Sequence, residues 1–140
     1  MYNIENLSNY IIYKSKKLGH PITNARLQCI LYFLQVKFVA DKDRLCFAEN
    51  IEASGFGAVI PESYLLFKGN GERFLSVPKK VIPFLEREDK ETLDEMLVFL
   101  GEYSTAFLQE TIQNQTPWKK ARDRRDQVIT VESLREYFKN

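Results

Sequence analysis

The sequence of 140 residues is poor in the side chains that build metal sites and disulfide frameworks: it has one histidine, His20, and two cysteines, Cys29 and Cys46. A single histidine excludes metal sites built on two histidines. Both cysteines stand in apolar patterns, which favours reduced thiols packed in the core over a disulfide or a metal ligand pair. His20 lies between Gly19 and Pro21, so we place it in a connection between helices. The sequence predicts no metal site and no cofactor.

Neither sign of charge dominates, because 20 Lys and Arg residues offset 19 Asp and Glu residues for a formal charge of +1. The whole chain therefore has no general attraction to nucleic acid or to an anionic membrane. No apolar run approaches the roughly 18 residues that a membrane span requires, and residues 1–6 lack the basic and apolar regions of a secretion signal. We expect a cytoplasmic protein that makes no membrane contact.

Large apolar side chains are plentiful, since 44% of the residues are hydrophobic and 13% are aromatic. A chain of this length can bury roughly two-thirds of its unfolded surface around one core. We therefore expect residues 1–140 to form a single domain. Any contact with a charged partner has to come from a local cluster of charges.

Helical periodicity covers most of the chain. A first helix begins at Asn3 or Glu5 and ends at Gly19, a residue that adopts left-handed backbone readily. Thr23 is expected to cap a second, central helix. Its apolar stripe consists of Leu27, Ile30, Leu31, Leu34 and Phe38. Further helix starts are predicted at Asp89, Ser104, Thr116 and Thr130, with Phe107, Leu108 and Ile112 as the apolar residues of the helix after Ser104.

Short strands are predicted between the helices. Leu45-Cys46-Phe47 and Ile51-Glu52-Ala53 are expected to pair in an antiparallel sheet, and 73–77 is a further short strand. Gly55 and Gly57 turn the chain toward a helix that begins at Pro61. Pro83 interrupts the next apolar patch. The predicted fold class is α+β: a predominantly helical single domain with a small antiparallel β-sheet.

No set of residues makes a convincing catalytic site. Ser76 and Lys79 have the spacing of a serine–lysine nucleophile, but Pro78 would interrupt the helix that such a pair needs. The acidic residues between Glu86 and Glu95 are read as a solvated face that favours a helix N-terminus. Gly55-Phe56-Gly57 lacks the remaining residues of a phosphate-binding loop. We therefore predict no catalytic residues and no enzymatic activity.

A basic segment, 118–125, begins at the only tryptophan. The stretch Trp118-Lys119-Lys120-Ala121-Arg122-Asp123-Arg124-Arg125-Asp126 contains five basic residues and two aspartates. Its alternatives are a solvated face, a protein contact and a nucleic-acid contact, in that order of preference, because the aspartates weaken the local field. Trp118 itself is read as a core anchor more than as an exposed platform.

Four segments, taken in order and spacing, resemble the Panacea antitoxin domain of SocA-like and phage-associated proteins. They are Leu27-Gln28-Cys29-Ile30-Leu31-Tyr32, residues 51–64 from Ile51 to Tyr64, Pro117-Trp118, and residues 129–138 from Ile129 to Phe138. The sequence departs from the family pattern at Cys29, Ser54, Ala58 and Ile112. If polar side chains at the first and last of these positions contact a partner in the family, this chain has an altered partner or a role that is no longer neutralisation.

The resemblance implies a protein that binds and neutralises a cognate toxin, directly or by delivering the toxin to a protease. We predict partner contacts at Phe56, Tyr64, Trp118, Lys119 and Arg122. Five other motif residues are expected to define the fold: Leu27, Leu31, Tyr32, Gly57 and Pro61. The alternative is a phage or prophage accessory protein that binds DNA or a host protein through the basic segment, with nucleic acid the less favoured partner.

Overall fold

A computed structural model of the chain describes residues 1–81 and 84–139. Within them, seven α-helices pack with a three-stranded antiparallel sheet, which confirms the predicted helical α+β class. The helices are α1 (Ile4–Lys17), α2 (Asn24–Lys37), α3 (Pro61–Phe67), α4 (Arg87–Leu100), α5 (Thr105–Gln113), α6 (Thr116–Arg122) and α7 (Val131–Phe138). The strands are β1 (Ile51–Ser54), β2 (Gly57–Val59) and β3 (Val128–Ile129). None of the described helices is long and apolar enough to cross a membrane.

Local signals in the sequence start most of the helices. The side chains of Thr23, Ser104 and Thr130 accept a hydrogen bond from the backbone N–H three residues on, as predicted. Each such cap stabilises its helix by about 1 kcal/mol. Pro61 is the first residue of α3. The helix predicted from Asp89 is present as α4, but the predicted cap was wrong, because α4 is entered from Glu86 and begins at Arg87, two residues before Asp89.

Helix α2 is the centre of the core. It contacts α1, α3, α4, α5 and β2. Ten of its residues are buried, so its environment is protein on nearly every side and not only along the predicted apolar stripe. Three of the ten are polar, namely Asn24, Gln28 and Gln35, and each one makes side-chain hydrogen bonds to neighbouring elements.

The Gln28 side chain attaches the start of α3 to α2. Its Oε1 accepts a hydrogen bond from the Ile60 backbone N–H at 2.9 Å. Its Nε2 donates to Asn24 Oδ1 at 3.1 Å and to Ser63 Oγ at 3.2 Å. Ser63 Oγ is in turn 2.9 Å from Ser8 Oγ on α1. Because all of these groups are satisfied, the polar network joins three helices at little cost in desolvation.

The segment Leu45-Cys46-Phe47 is not a strand, contrary to the prediction. The Gln35 side chain takes the place of a neighbouring strand. Its Oε1 accepts from Cys46 N at 2.7 Å, and its Nε2 donates to Phe47 O at 2.8 Å. Tyr2 N donates to Cys46 O at 2.7 Å. The apolar pattern therefore marks buried chain whose backbone groups are paired by a side-chain amide and by the N-terminal segment.

Strand β1 forms the middle of the sheet, in the order β2-β1-β3. It pairs antiparallel with β2, with Ser54 opposite Gly57, and with β3, with Ile51 opposite Ile129. The predicted partner of β1 was residues 45–47, so this pairing was wrong. Strand β3 has only two residues, too few to show alternation in the sequence.

Residues 73–77 were predicted as a strand and are irregular in the structure. Leu75 is buried, and its N–H donates to Ile22 O at 2.8 Å. A single backbone hydrogen bond and one inward side chain account for the apolar pattern without a ladder. Pro83 lies outside the described residues.

A buried ionic cluster ties α4 to the turn after α2. Asp89 Oδ1 lies 2.7 Å from Lys42 Nζ and 2.6 Å from Arg44 Nη2, and the Tyr2 hydroxyl donates to Asp89 Oδ2. Residues 86–95 were predicted to form a solvated face. Asp89 contradicts this prediction, because its side chain is buried. Burial would raise the pKa of Asp89, but hydrogen bonds from Arg44, Lys42 and Tyr2 outweigh it and hold the pKa at about 2.

Helix α2 continues into a π-helical turn, Phe38–Lys42, that stops at Asp43 in left-handed backbone with φ of 55°. The Asp43 carboxylate faces α7 at the other end of the chain. Its Oδ1 is 3.1 Å from Lys139 Nζ and 3.7 Å from Arg135 Nε. The turn after α2 thus touches both α4, through Lys42, and the last helix.

Candidate protein-interaction surfaces

The hairpin between β1 and β2 is held against α5 and α6. The Ser54 carbonyl accepts from Trp118 Nε1 at 3.1 Å, and the Gly55 carbonyl accepts from Gln113 Nε2 at 2.7 Å. Phe56 follows at the tip and is 67% exposed. A large apolar ring is therefore presented to solvent on a turn whose backbone is fixed by two neighbouring helices.

Gly57 allows the hairpin to approach α5 closely. Its φ of +101° is a conformation that side chains rarely adopt, and a Cβ there would lie 3.3 Å from Gln109 Cα. Gly55 differs, because a Cβ at that position would meet nothing within 4 Å. Gly57 is thus required by both backbone conformation and packing, whereas Gly55 is not required by packing.

Trp118 is neither a core residue nor a free platform. It is partly buried, with its indole N–H bonded to the hairpin, and the Arg122 guanidinium lies over its ring at 5.3 Å from the centroid. The prediction of a core anchor is thus only half right. Phe56, Trp118 and Arg122, three of the predicted contact residues, lie on the hairpin and the helix that touches it. We call this the hairpin–α6 surface, defined by Phe56, Trp118, Lys119 and Arg122.

The basic residues of α6 are partly engaged within the chain. Lys120 Nζ is 3.7 Å from Glu136 on α7, and Arg124 Nε is 3.0 Å from Asp126. Lys119 is exposed and has no ion pair among residues 1–81 and 84–139. The field of this segment is therefore weaker than its count of cations suggests.

Tyr64 lies on a different part of the molecule from the hairpin–α6 surface. It is on α3, which packs against α1 and α2, whereas α6 packs against β1, β3 and α7. Leu65 and Leu66 beside it are also exposed. The predicted contact residues thus fall into two surfaces.

Three of the five motif residues predicted to define the fold lie in the core, and Pro61 is half-buried. Leu27, Leu31 and Tyr32 are fully buried on α2. The Tyr32 hydroxyl donates to Gln115 Oε1 just before α6, at 2.5 Å. Cys29 and Ile112, where the sequence departs from the family pattern, are fully buried as well. In this chain these two positions pack in the core and cannot touch a partner directly.

A surface that the sequence analysis missed lies where α4 turns into α5. Phe99 and Tyr103 have ring centroids 5.4 Å apart, and Tyr103 stacks on Phe107 at 5.2 Å. Phe107 was named with Leu108 as an apolar residue of this helix, but it is 51% exposed, while Leu108 is buried. Leu108 and Ile112 are four residues apart and share one face of α5, and the adjacent Phe107 is turned by about 100° from Leu108. We call Phe99, Tyr103 and Phe107 the aromatic corner.

The groups that could act as nucleophiles are inaccessible or isolated. Burial raises the pKa of the Cys29 thiol to about 12, and that of Cys46 also to about 12. His20 is exposed in the loop between α1 and α2. Among residues 1–81 and 84–139 no three His, Cys, Asp or Glu side chains form a group that could hold a metal ion. The exposed surfaces described above consist of apolar and charged side chains, and such side chains commonly bind another protein.

Comparison with known proteins relates the central part of the chain to a described family. A family model described as "Antitoxin SocA-like, Panacea domain" matches residues 27–119. The chain belongs to the Panacea domain family. A curated relative, Antitoxin SocA of Caulobacter vibrioides (strain NA1000 / CB15N), is 28% identical over 113 residues, which cover 73% of this chain and 60% of the relative. The chain therefore spans about 60% of the length of that relative. No solved structure matches.

The Panacea match begins inside α2 and ends inside α6. It includes the hairpin, α3 and the aromatic corner. Lys119 is its last residue, so Arg122 and the remaining basic residues lie beyond it, together with β3 and α7. The Panacea region thus supplies the exposed aromatic side chains of both surfaces, and the segment after it supplies most of the positive charge.

Proposed function

We propose that this Panacea protein is an antitoxin that binds and neutralises a cognate toxin protein. The family match over residues 27–119 and the antitoxin name of the relative support this proposal. The relative is longer than the stretch shared with this chain. The toxin-binding residues are therefore argued from the structure of this chain alone.

The hairpin–α6 surface is the contact region that we assign to the toxin. The single observation that carries this choice is the exposure of Phe56 on a turn fixed to α5 and α6. A rigid, exposed aromatic side chain loses little conformational entropy on binding. Tryptophan and arginine are enriched among the residues that dominate interface energies. The cations Lys119 and Arg122 suit a toxin surface with an apolar pocket and acidic neighbours.

Tyr64 forms a second contact region in this proposal. It is 37% exposed, and Leu65 beside it is 64% exposed. Because α3 is attached to α2 through Gln28 and Ser63, this patch is also rigid. A toxin that covers both regions would need an extended surface, and the Tyr64→Ala variant tests whether the second region takes part.

Co-expression with the protein encoded by the adjacent reading frame tests the proposed function. The chain should restore growth and co-purify with that protein. Phe56→Ser and Arg122→Glu should each weaken co-purification at least about tenfold, as expected for central interface residues. Phe74→Ser and Arg87→Glu are matched controls, since Phe74 is 63% exposed and the Arg87 side chain 92% exposed on other segments.

The antitoxin proposal fails if the neighbouring protein is not toxic. It also fails if that protein stays toxic in the presence of the chain and does not co-purify with it. If neutralisation is intact in Phe56→Ser and Arg122→Glu, the antitoxin function stands but the hairpin–α6 surface is not the contact.

Delivery of the toxin to a protease is a finer form of the same proposal. In this form the chain shortens the half-life of the toxin in cells, and removal of the protease restores both the half-life and the toxicity. If the half-life is unchanged while growth is rescued, neutralisation is by direct binding. The two forms differ in toxin abundance and not in toxin affinity.

The rival proposal is a phage or prophage accessory protein that binds DNA or a host protein through residues 118–125. It is supported by Lys119, whose charge is unpaired within the described residues. The pairs of Lys120 with Glu136 and of Arg124 with Asp126 count against DNA. Binding to arbitrary duplex DNA that falls steeply with salt, and is lost when the four cations 119, 120, 122 and 124 are changed to alanine, would favour this rival.

A further inference from the structure

We propose that the aromatic corner is a docking surface for a basic amphipathic helix of a partner protein. This inference concerns a different face from the hairpin–α6 surface, and it does not depend on the antitoxin function. It rests on the exposed rings, on unpaired carboxylates around them and on the rigid joint that carries both.

The three rings form one continuous apolar strip. Phe99 is 60% exposed, Tyr103 37% and Phe107 51%, and Val98 beside them is 56% exposed. The planes of Tyr103 and Phe107 are inclined by only 18°, so the two rings stack and present their edges and one outer face to solvent. An exposed, contiguous group of large apolar side chains is typical of a contact site. The strip can therefore bury apolar side chains of a partner.

Carboxylates border the strip, and the cation that lies beside Tyr103, Arg26, is already engaged by the Leu100 carbonyl and Thr105. Residues 91–118 contain five acidic residues and no lysine, arginine or histidine. Glu95, Glu102 and Glu110 are exposed and form no ion pair among residues 1–81 and 84–139. Glu95 precedes Phe99 by one helical turn, and Glu110 follows Phe107 at the three-residue spacing that places side chains on the same face. The rings are thus bordered by carboxylates that have no partner within the described chain.

The joint between α4 and α5 is built to hold this arrangement. Arg26 on α2 donates from Nη2 to the Leu100 carbonyl at 2.7 Å and from Nη1 to Thr105 Oγ1 at 3.1 Å. The first bond satisfies a carbonyl at the end of α4, and the second fixes the start of α5. Because one side chain from the central helix bridges both helices, the rings are preorganised for binding.

A groove beside the strip offers room for a partner side chain. It is lined by Leu18, His20, Val98, Gly101 and Glu102 and has a volume of about 350 Å³. Val98 and Glu102 place an apolar wall and a carboxylate at the same opening. A lysine or arginine fits this combination, because its methylene stem packs on apolar surface while its charge reaches the carboxylate.

The carboxylates around the rings determine which class of partner can bind there. Nucleic acid and anionic membranes are repelled by carboxylates, and an acidic segment would be repelled as well. A helix with apolar residues on one side and Lys or Arg along the edge meets the rings with its apolar residues and the three glutamates with its cations. Cations over aromatic rings add to the attraction.

The test uses two synthetic helical peptides of about 18 residues, or five turns. One carries leucine on one face and lysine along its borders, and the other has glutamate in place of every lysine. Binding is measured by fluorescence anisotropy. The lysine peptide should bind and the glutamate peptide should not. Tyr103→Ser and Phe107→Ser should each weaken binding about tenfold, and the double variant Glu102→Gln/Glu110→Gln should weaken it several-fold and reduce its salt dependence.

Two control variants remove equally exposed groups elsewhere. Tyr137→Ser takes away an exposed aromatic side chain on α7, and Glu132→Gln takes away a carboxylate on the same helix, and both should bind the lysine peptide as the unchanged chain does. Circular dichroism and urea unfolding verify that all variants are folded. The proposal is overturned if the glutamate peptide binds equally well, or if the corner variants bind the lysine peptide like the controls.

A second copy of the chain is the competing occupant, since the basic residues of α6 could meet the corner of another molecule. Such a contact joins two different faces and would build open chains. In sedimentation experiments, the unchanged protein should show no self-association. The decisive question is whether it self-associates in a way that Phe107→Ser abolishes. If it does, the corner is a self-contact and the proposal is overturned. Toxin neutralisation is a separate readout, so failure of one proposal is not failure of the other.

Discussion

The aromatic corner and the hairpin–α6 surface both expose aromatic rings, but they differ in how far their groups are paired within the chain. At the hairpin, Trp118 is stacked under Arg122 and bonded to Ser54, and nearby cations pair with residues of the same chain. At the corner, the rings stack only on one another and the carboxylates are unpaired in the described residues. The polar and charged groups of the hairpin–α6 surface are thus partly paired within the chain, whereas the carboxylates of the aromatic corner have no partner among the described residues.

The comparison shows why a net charge of +1 says little about partners. A stretch with five acidic and no basic residues, 91–118, is followed directly by a segment with five basic residues, 118–125. The total nearly cancels, but the two regions favour partners of opposite charge. The two regions also share a support, because Gly57 of the hairpin packs on α5, which carries Phe107.

The largest expected effect is at the start of α4, the helix that carries Phe99 near its other end. Asp89→Asn should lower the free energy of unfolding by about 3 kcal/mol, because it leaves Lys42 and Arg44 without the buried carboxylate that pairs with them. Urea denaturation measures the change. Glu88→Gln is the matched control on the same helical turn, with an exposed side chain, and should change stability by less than about 0.5 kcal/mol. Equal effects of the two substitutions would contradict the role of the cluster.

The Asp89 carboxylate also predicts that the free energy of unfolding falls at acidic pH. The pKa of Asp89 is lowered from 3.8 to about 2 in the folded chain, so its contribution is complete above about pH 4 and is lost as the pH falls toward 2. The contribution is about 2 kcal/mol. Thermal unfolding between pH 5 and 2, a range set by these pKa values, should show a shallower decline for Asp89→Asn than for the unchanged chain. Parallel declines would show that other carboxylates govern the acid limb.

The next largest effect is expected at Gly57, where the hairpin packs on α5, the helix that supports both surfaces. Gly57→Ala should destabilise the fold by about 2 kcal/mol, through positive φ and through contact with the α5 backbone. Gly55→Ala is its control in the same turn and should cost less than about 1 kcal/mol, since its Cβ meets open space. Both are measured by urea denaturation. If Gly55→Ala costs as much as Gly57→Ala, the approach to α5 is not what fixes the hairpin.

The smallest effect on stability is expected at Phe107, one of the exposed rings of the aromatic corner. Phe107→Ser should lower stability by about 1 kcal/mol or less, because it removes one exposed stacked ring. Leu108→Ser, the adjacent buried position on the same helix, should lower it by more than about 3 kcal/mol. A large loss in Phe107→Ser would mean that the corner is needed for folding, and the case for a binding surface would weaken.

The helix starts could be predicted because their signals are local. Thr23, Ser104 and Thr130 act within one turn of chain, and Pro61 acts on its own backbone. The partners of the strands could not, because they depend on distant residues. Gln35 pairs with residues 46–47 through its side chain, and no pattern in the sequence distinguishes this from pairing with a strand.

The candidate surfaces were predicted in part. Aromatic and basic residues next to each other drew attention to Trp118 and Arg122, and the structure places the tip of the hairpin beside them. The corner was missed because Phe107 fits the same helical period as the core residues. Only the burial of Leu108 decides which of the two neighbours turns outward. Tyr103 lies between the helices, where periodicity says nothing.

The turn at Asp43 has a consequence for the order in which the chain assembles. Its carboxylate binds Lys139, which is 96 residues away, and β3 pairs with β1 across a similar span of sequence. Contacts between such distant residues must offset the entropy of closing a long loop before they add stability, which slows folding. We expect the third strand and α7 to join the fold last, after the contacts among α1, α2 and α3 have formed.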